Sequence, residues 1–166
     1  MKNAHAAAEY FGRIFAACIE NEIRQVILVI KNILVPVDGS ETSDKAVAEA
    51  VKLAEIYGAE LHFLYVANIN QVAINAALSH AIMDAVRKAG RTILNRAGNS
   101  VPENISHEEI LEVGAPAVMI LDYQESLDAD LIVMGSRGLS FVKGVLLGSV
   151  SQYIIERAKC PVLVVK

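Results

Sequence analysis

Glycines and hydroxyls cluster in the stretch Leu131-Ile-Val-Met-Gly-Ser-Arg-Gly-Leu-Ser-Phe-Val-Lys-Gly-Val-Leu-Leu-Gly-Ser-Val-Ser151, and their spacing suits the binding of an anion. Glycines fall at Gly135, Gly138, Gly144 and Gly148, where backbone N–H groups can approach a ligand with no Cβ in the way. Ser149 follows the last of them as a good N-cap for a helix running through Gln152, Ile154, Ile155 and Ala158. The first turn of such a helix leaves N–H donors unpaired at the positive end of its dipole, which is the physical basis of phosphate binding. Between Gly135 and Gln152 the charged residues are Arg137 and Lys143, a cationic island on a chain of formal net charge -4. A polyphosphate would be steered there.

A carboxylate that could serve the other end of a nucleotide stands at Asp38, after the apolar run Ile33-Leu-Val-Pro-Val37. Ligands of open α/β sheets lie beyond the carboxyl ends of strands, and Asp38 there could accept from an adenine amino group or a ribose hydroxyl. The competing role is to cap the helix that follows. No Gly-x-Gly-x-x-Gly follows this strand and no Gly-x4-Gly-Lys-Ser/Thr occurs anywhere, so the dinucleotide fingerprint and the P-loop are both excluded. Phosphoryl transfer needs a group that orients the attacking atom beside the phosphates. Gln152 is the candidate next to the loop, with a solvated helix surface as its plainer role. His62, His80 and His107 have no partner at metal-ligand spacing, so no metal role is expected of them.

These groups need elements to hold them, and hydrophobic periodicity names those elements. Leu131–Met134 and Ile33–Val37 are short, wholly apolar runs of the kind central parallel strands show. Further strands are expected over Leu61–Val66, about Glu108–Val113, and Val162–Val165. Helical stripes appear at Ala46, Val47, Ala50, Val51, Ala54 and Tyr57, closed by Gly58 as C-cap, and at Ile74, Leu78, Ile82, Val86, Ala89, Ile93 and Ala97 within residues 68–98. A third stripe of Ala117, Ile120, Leu121 and Leu127 follows Pro116 at a first helical position. A strand, a helix and a strand in that order make a right-handed crossover between parallel strands. The pattern predicts a Rossmann-like three-layer α/β domain over residues 32–166, its five strands alternating with four helices.

Residues 1–31 form an extension ahead of it. Phe11, Ile14, Phe15, Cys18, Ile19, Ile23, Val26, Ile27 and Ile30 recur at helical spacing, which predicts an amphipathic helix over Ala4–Arg24. The run Val26–Ile30 either continues it or switches to a strand, and the extension is either an interaction arm or a segment that packs on the domain.

A chain of 166 residues with 54% hydrophobic and 20% charged residues suits one α/β domain with a buried sheet. No apolar run reaches the ~20 residues of a membrane span, and Glu20, Glu22, Arg24 and Lys31 interrupt the best candidates. A clean secretory signal is lacking. Two scattered cysteines, Cys18 and Cys160, fit neither a disulfide framework nor a zinc site, which points to a soluble protein of the reducing cytoplasm. Arg87, Lys88, Arg91 and Arg96 read as a solvated helix face, and with a sequence pI of 5.6 no nucleic-acid partner is expected.

The spaced motif Gly135-x2-Gly138-x9-Gly148-Ser149, the block Leu131–Leu139 around it, Asn32-Ile-Leu-Val-Pro-Val-Asp-Gly-Ser40 and Cys160-Pro-Val-Leu-Val-Val165 together resemble the universal stress protein family in its ATP-binding branch. The resemblance spans Asn32–Lys166. It implies the strand order 3-2-1-4-5 and an ATP site. The triphosphate would lie on the N–H groups of Gly138, Gly148, Ser149 and Val150, assisted by the Ser149 and Ser151 hydroxyls. Asp38 and Val66 would hold the nucleoside, and Pro36, Val37, Met134, Gly135 and Arg137 are the remaining cofactor-binding positions. Mg2+ would arrive on the phosphates, since no carboxylate cluster could make an all-protein site. The role implied is a nucleotide-dependent stress-response or regulatory module. A slow ATP-hydrolysing or phosphoryl-transferring enzyme is the alternative, and a member that has lost nucleotide is opposed by the intact glycine motif.

The same strand order makes Val162–Val165 an edge strand. Its Val-Leu-Val-Val run lacks the charge, proline or bulge that usually blocks edge pairing, which predicts a homodimer through this strand, as family members commonly form. The competing cover for the edge is the chain's own Val26–Ile30 run.

Overall fold

The computed structural model describes residues 30–68, 76–139 and 147–166. The N-terminal helix expected over Ala4–Arg24, most of the run that follows it, Lys143 and Gly144 lie outside the described residues.

Strands β1 (Asn32–Pro36), β2 (Glu60–Ala67), β3 (His107–Val113), β4 (Leu131–Gly135) and β5 (Val162–Val165) form one sheet in the order β3-β2-β1-β4-β5. Every pairing is parallel, with Ile33 opposite both Leu61 and Leu131, and Ile132 opposite Val162. This is the order the resemblance implied. The central strand is apolar at successive positions because both of its faces are covered. Ile33, Leu34 and Val35 are all fully buried. The start of β1 is tied to that of β4 by Asp130, whose Oδ2 accepts from the N–H groups of Lys31 (2.7 Å) and Asn32 (3.0 Å).

Helices α1 (Glu41–Tyr57), α2 (Ala76–Gly98), α3 (Pro116–Ser126) and α4 (Ser149–Arg157) complete three layers. On one face α3 and α4 contribute Ile120 and Ile154 to a core with Leu34, Leu64, Ile132 and Met134. On the other, α1 lies along β4 and β1, and α2 along β2 and β3. The ends of α1 follow local rules. Ser40 caps its start by accepting from the Ser43 N–H at 3.2 Å, and Gly58 ends it in the left-handed region at φ 67°. Its buried stripe is short-chained, with Ser43, Ala46, Ala50 and Ala54, so the helix axis comes close to the sheet. At Gly135 the approach is close enough that an added Cβ would lie 2.9 Å from the Ser43 nitrogen. Only glycine fits there. A similar approach occurs at Gly90 of α2, where a Cβ would come within 2.5 Å of the Tyr65 ring.

Among the described residues no helix is long and apolar enough to cross a membrane.

Candidate functional site

Between β1 and β4 the chain connections leave the sheet in opposite directions, and a cleft opens beyond the carboxyl ends of these strands. Its volume is about 450 Å³, within the usual range for small-molecule sites. The turn after β1 and the loop after β4 are fastened to each other across it. Asp38 Oδ1 accepts from the Ser40 N–H at 3.0 Å, and Oδ2 accepts from the Leu139 N–H at 3.2 Å. The Thr42 hydroxyl donates to the Arg137 carbonyl at 2.5 Å. The two ends of the loop are also joined, through Gly148 N–H to the Ser136 carbonyl at 2.8 Å, while Ser136 N–H donates to Val165 of β5 at 2.7 Å.

The helix α4 starts directly on this cleft. Gly148, at its N-cap, has φ -71° and ψ 158° and supplies no side-chain acceptor, so the first-turn N–H groups of Ser149, Val150 and Ser151 have no intrahelical partner and, among the described residues, no side-chain cap. A Cβ built on Gly148 would stand 3.5 Å from Arg137 Cα and 3.8 Å from the Gly138 nitrogen, over the backbone that forms the cradle. The bare α-carbon keeps that space open for a ligand. Among the described residues lining the cleft, Asp38 is the acidic side chain and Arg137 the basic one. With the Asp38 oxygens already accepting from Ser40 and Leu139, a divalent ion would depend on oxygens carried by the ligand. Burial pushes the Tyr65 phenol upward from its ordinary pKa, and the negative charge of Asp38 adds to the shift.

A family model of the universal stress proteins matches residues 30–166. The chain belongs to the universal stress protein family. It is 37% identical over 140 residues to universal stress protein MJ0531 of Methanocaldococcus jannaschii, an alignment covering 82% of each chain. The solved structure of MJ0577, from the same organism, superposes with a TM-score of 0.77 at 27% identity, covering 83% of this chain and 96% of that one. A universal stress protein solved in complex with cAMP superposes with a TM-score of 0.58 at 31% identity, covering 82% and 96%.

In this universal stress protein the positions expected from the sequence to bind the cofactor all line the one cleft. Pro36, Val37 and Asp38 follow β1, Val66 ends β2, and Met134, Gly135, Arg137 and Gly138 leave β4. Gly148, Ser149, Val150 and Ser151 open α4 on the same cleft. The structure changes what several of them do. Ser149 is the first residue of α4 rather than its cap, because the extended Gly148 takes the cap position. The Ser151 hydroxyl donates to the Gly135 carbonyl at 2.9 Å and is buried, so its proton serves the loop and not a ligand. Asp38 does not cap α1, a task that falls to Ser40. Gln152 does not line the cleft, and its amide donates to Glu156 at 3.2 Å. His62 is buried, with Nδ1 3.4 Å from Glu108 and Nε2 3.5 Å from Asn32.

Sequence reasoning missed Ser43, Leu64, Tyr65, Asn68, Val86, Pro116, Ile120 and Leu139, which also line the cleft. Ile120 and Pro116 come from α3, which the crossover from β3 to β4 lays over the sheet, and no spacing within one segment signals that. Ser43 carried a usable signal as a buried-phase hydroxyl in the first turn of α1.

Proposed function

We propose that this universal stress protein binds an adenine nucleotide, ATP carried with Mg2+, and works as a stress-response or regulatory module whose state follows occupancy of the cleft. What carries the reading is the meeting of the turn after β1 with the uncapped start of α4 round one cleft of about 450 Å³. The triphosphate would lie against the N–H groups of Gly138, Ser149 and Val150, where the α4 dipole and Arg137 favour negative charge. The nucleoside would lie between Val37, Val66 and Met134, with Asp38 at its polar edge. Mg2+ bound to phosphate oxygens would neutralise part of their charge, and no protein carboxylate is required to hold it. A relative that holds cAMP supports an adenine nucleotide as ligand. Gln152, the residue on which an ATP-hydrolysing reading would rest, turns to Glu156 on the helix surface, which favours binding without fast turnover.

Calorimetric titration of the full chain with Mg-ATP, ADP, AMP and cAMP tests the proposal. Saturable binding of at least one of them, competed by ATP, is expected; no heat with any would refute it.

A further inference from the structure

Two buried hydroxyls line the cleft, and they differ in what their protons do. Ser43 and Ser151 are each 3% exposed. Ser151 spends its proton on the Gly135 carbonyl. Ser43 Oγ instead accepts from the Asp38 N–H at 3.3 Å, and among the described residues no group accepts the Ser43 proton. A hydroxyl used only as an acceptor keeps one donor. A buried donor left without a partner costs free energy, so such groups usually find an acceptor in the protein, in water or in a ligand.

The backbone around Ser43 is held firmly. Its N–H donates to Ser40 Oγ at 3.2 Å, and its nitrogen would lie 2.9 Å from a Cβ on Gly135, which sets the first turn of α1 hard against the start of the glycine loop. Ser151, in the first turn of α4, reaches the same residue from the other side through the Gly135 carbonyl. The positive ends of two helices therefore meet at Gly135, a position that favours an anionic oxygen over a neutral one.

We propose that Ser43 is a direct contact of the nucleotide site, its hydroxyl donating to a phosphate oxygen of the ligand while its oxygen holds the Asp38 N–H. The assignment rests on the nucleotide reading above and adds to it a donor in the first turn of α1. It also gives Ser43 the role that the burial and bonding of Ser151 take from that residue.

The test is calorimetric titration of the full chain with Mg-ATP, AMP and adenosine, for the wild type, Ser43→Ala and Ser43→Thr. A hydrogen bond to a charged group is worth about tenfold or more in affinity, so Ser43→Ala is expected to weaken ATP and AMP by that factor and adenosine by less than about twofold. Ser43→Thr, which keeps the hydroxyl, is expected to stay within about threefold of the wild type. Equal losses for ATP and adenosine would show that Ser43 acts only by holding the Asp38 backbone or on the sugar, and would overturn the phosphate contact. Unchanged ATP affinity in folded Ser43→Ala would overturn it as well. If Ser43→Ala does not fold, Ser43→Cys reads the same ATP-to-adenosine ratio with a weaker donor of similar size. A wild type that binds none of the three removes the nucleotide reading itself, whereas wild-type binding with an unmoved Ser43→Ala removes Ser43 alone.

Discussion

The Asp38 carboxylate and the Leu139 N–H lie 101 residues apart in the chain and meet at 3.2 Å at the mouth of the cleft. The other Asp38 oxygen accepts from the Ser40 N–H, so one side chain couples the cap of α1 to the loop after β4. A Cβ on Gly138 would come 2.5 Å from Asp38 Oδ2, which makes glycine the residue that lets the carboxylate in. Asp38 thus shapes the loop before any ligand arrives.

Asp38→Ala is therefore expected to act twice. Losing two hydrogen bonds to a carboxylate should lower stability by about 1–3 kcal/mol, read from urea unfolding. Mg-ATP affinity should fall by about tenfold or more, because both the proposed nucleoside contact and the loop that would present Gly138 are affected. A variant that loses stability yet binds ATP as the wild type does would confine Asp38 to a structural role.

Gly148→Val is expected to leave the protein folded and to abolish ATP binding. The backbone at Gly148 has φ -71°, which any residue adopts, and the nearest neighbour of a new Cβ is at an ordinary 3.5 Å. Glycine is needed here for the space above Gly138 rather than for a special dihedral angle. Circular dichroism checks the fold and calorimetry the affinity. Wild-type affinity in the folded variant would place the phosphates elsewhere.

The local signals of this chain were legible and the tertiary ones were not. Gly58 and Pro116 mark the end of α1 and the start of α3 because each acts through its own dihedral preferences. The central strands are legible because burial on both faces leaves them no polar positions. The strand order came with the family's spaced glycines and not from periodicity. Which hydroxyl is spent and which is free could not be read, since Ser151 and Ser43 look alike in sequence. The difference lies in the Gly135 carbonyl that stands opposite Ser151. The one-residue shift of the α4 cap has a similar origin, because Gly148 is held extended with its N–H on the Ser136 carbonyl across the loop.

Tyr123 is expected to make a contribution to stability that is lost in alkali. Its hydroxyl donates to Glu112 Oε1 at 2.6 Å, and that bond, with burial and the charges of Glu112 and Glu108, pushes the phenol pKa up to about 12. The folded state therefore holds this proton more tightly than the unfolded chain, whose tyrosines titrate near ~10. The stabilisation is fully present below pH ~10 and is lost as pH rises from there to about 12. Urea melts at pH 9 and pH 11 should show a larger loss for the wild type than for Tyr123→Phe, which has no proton to lose. Equal losses in both proteins would mean that the Tyr123–Glu112 bond adds nothing to stability.

The β5 edge predicts a homodimer. Among the described residues this strand pairs with β4 alone, and Leu163 at its centre is 39% exposed, with Ile155 of α4 44% exposed. A four-residue apolar edge with no lysine, proline or bulge inside it is an open template for another strand, and a second copy related by a two-fold axis offers the same template in return. Leu163 is the position to change. Val164 packs against the core under the sheet, so a charge there would unfold the domain and report nothing about association. Leu163→Lys places its charge on the exposed side of the strand and should leave the fold intact. Sedimentation velocity at micromolar concentrations should find a dimer for the wild type and a monomer for Leu163→Lys, with both proteins showing the same circular dichroism. A monomeric wild type would refute the dimer, and a dimeric Leu163→Lys would move the interface away from β5.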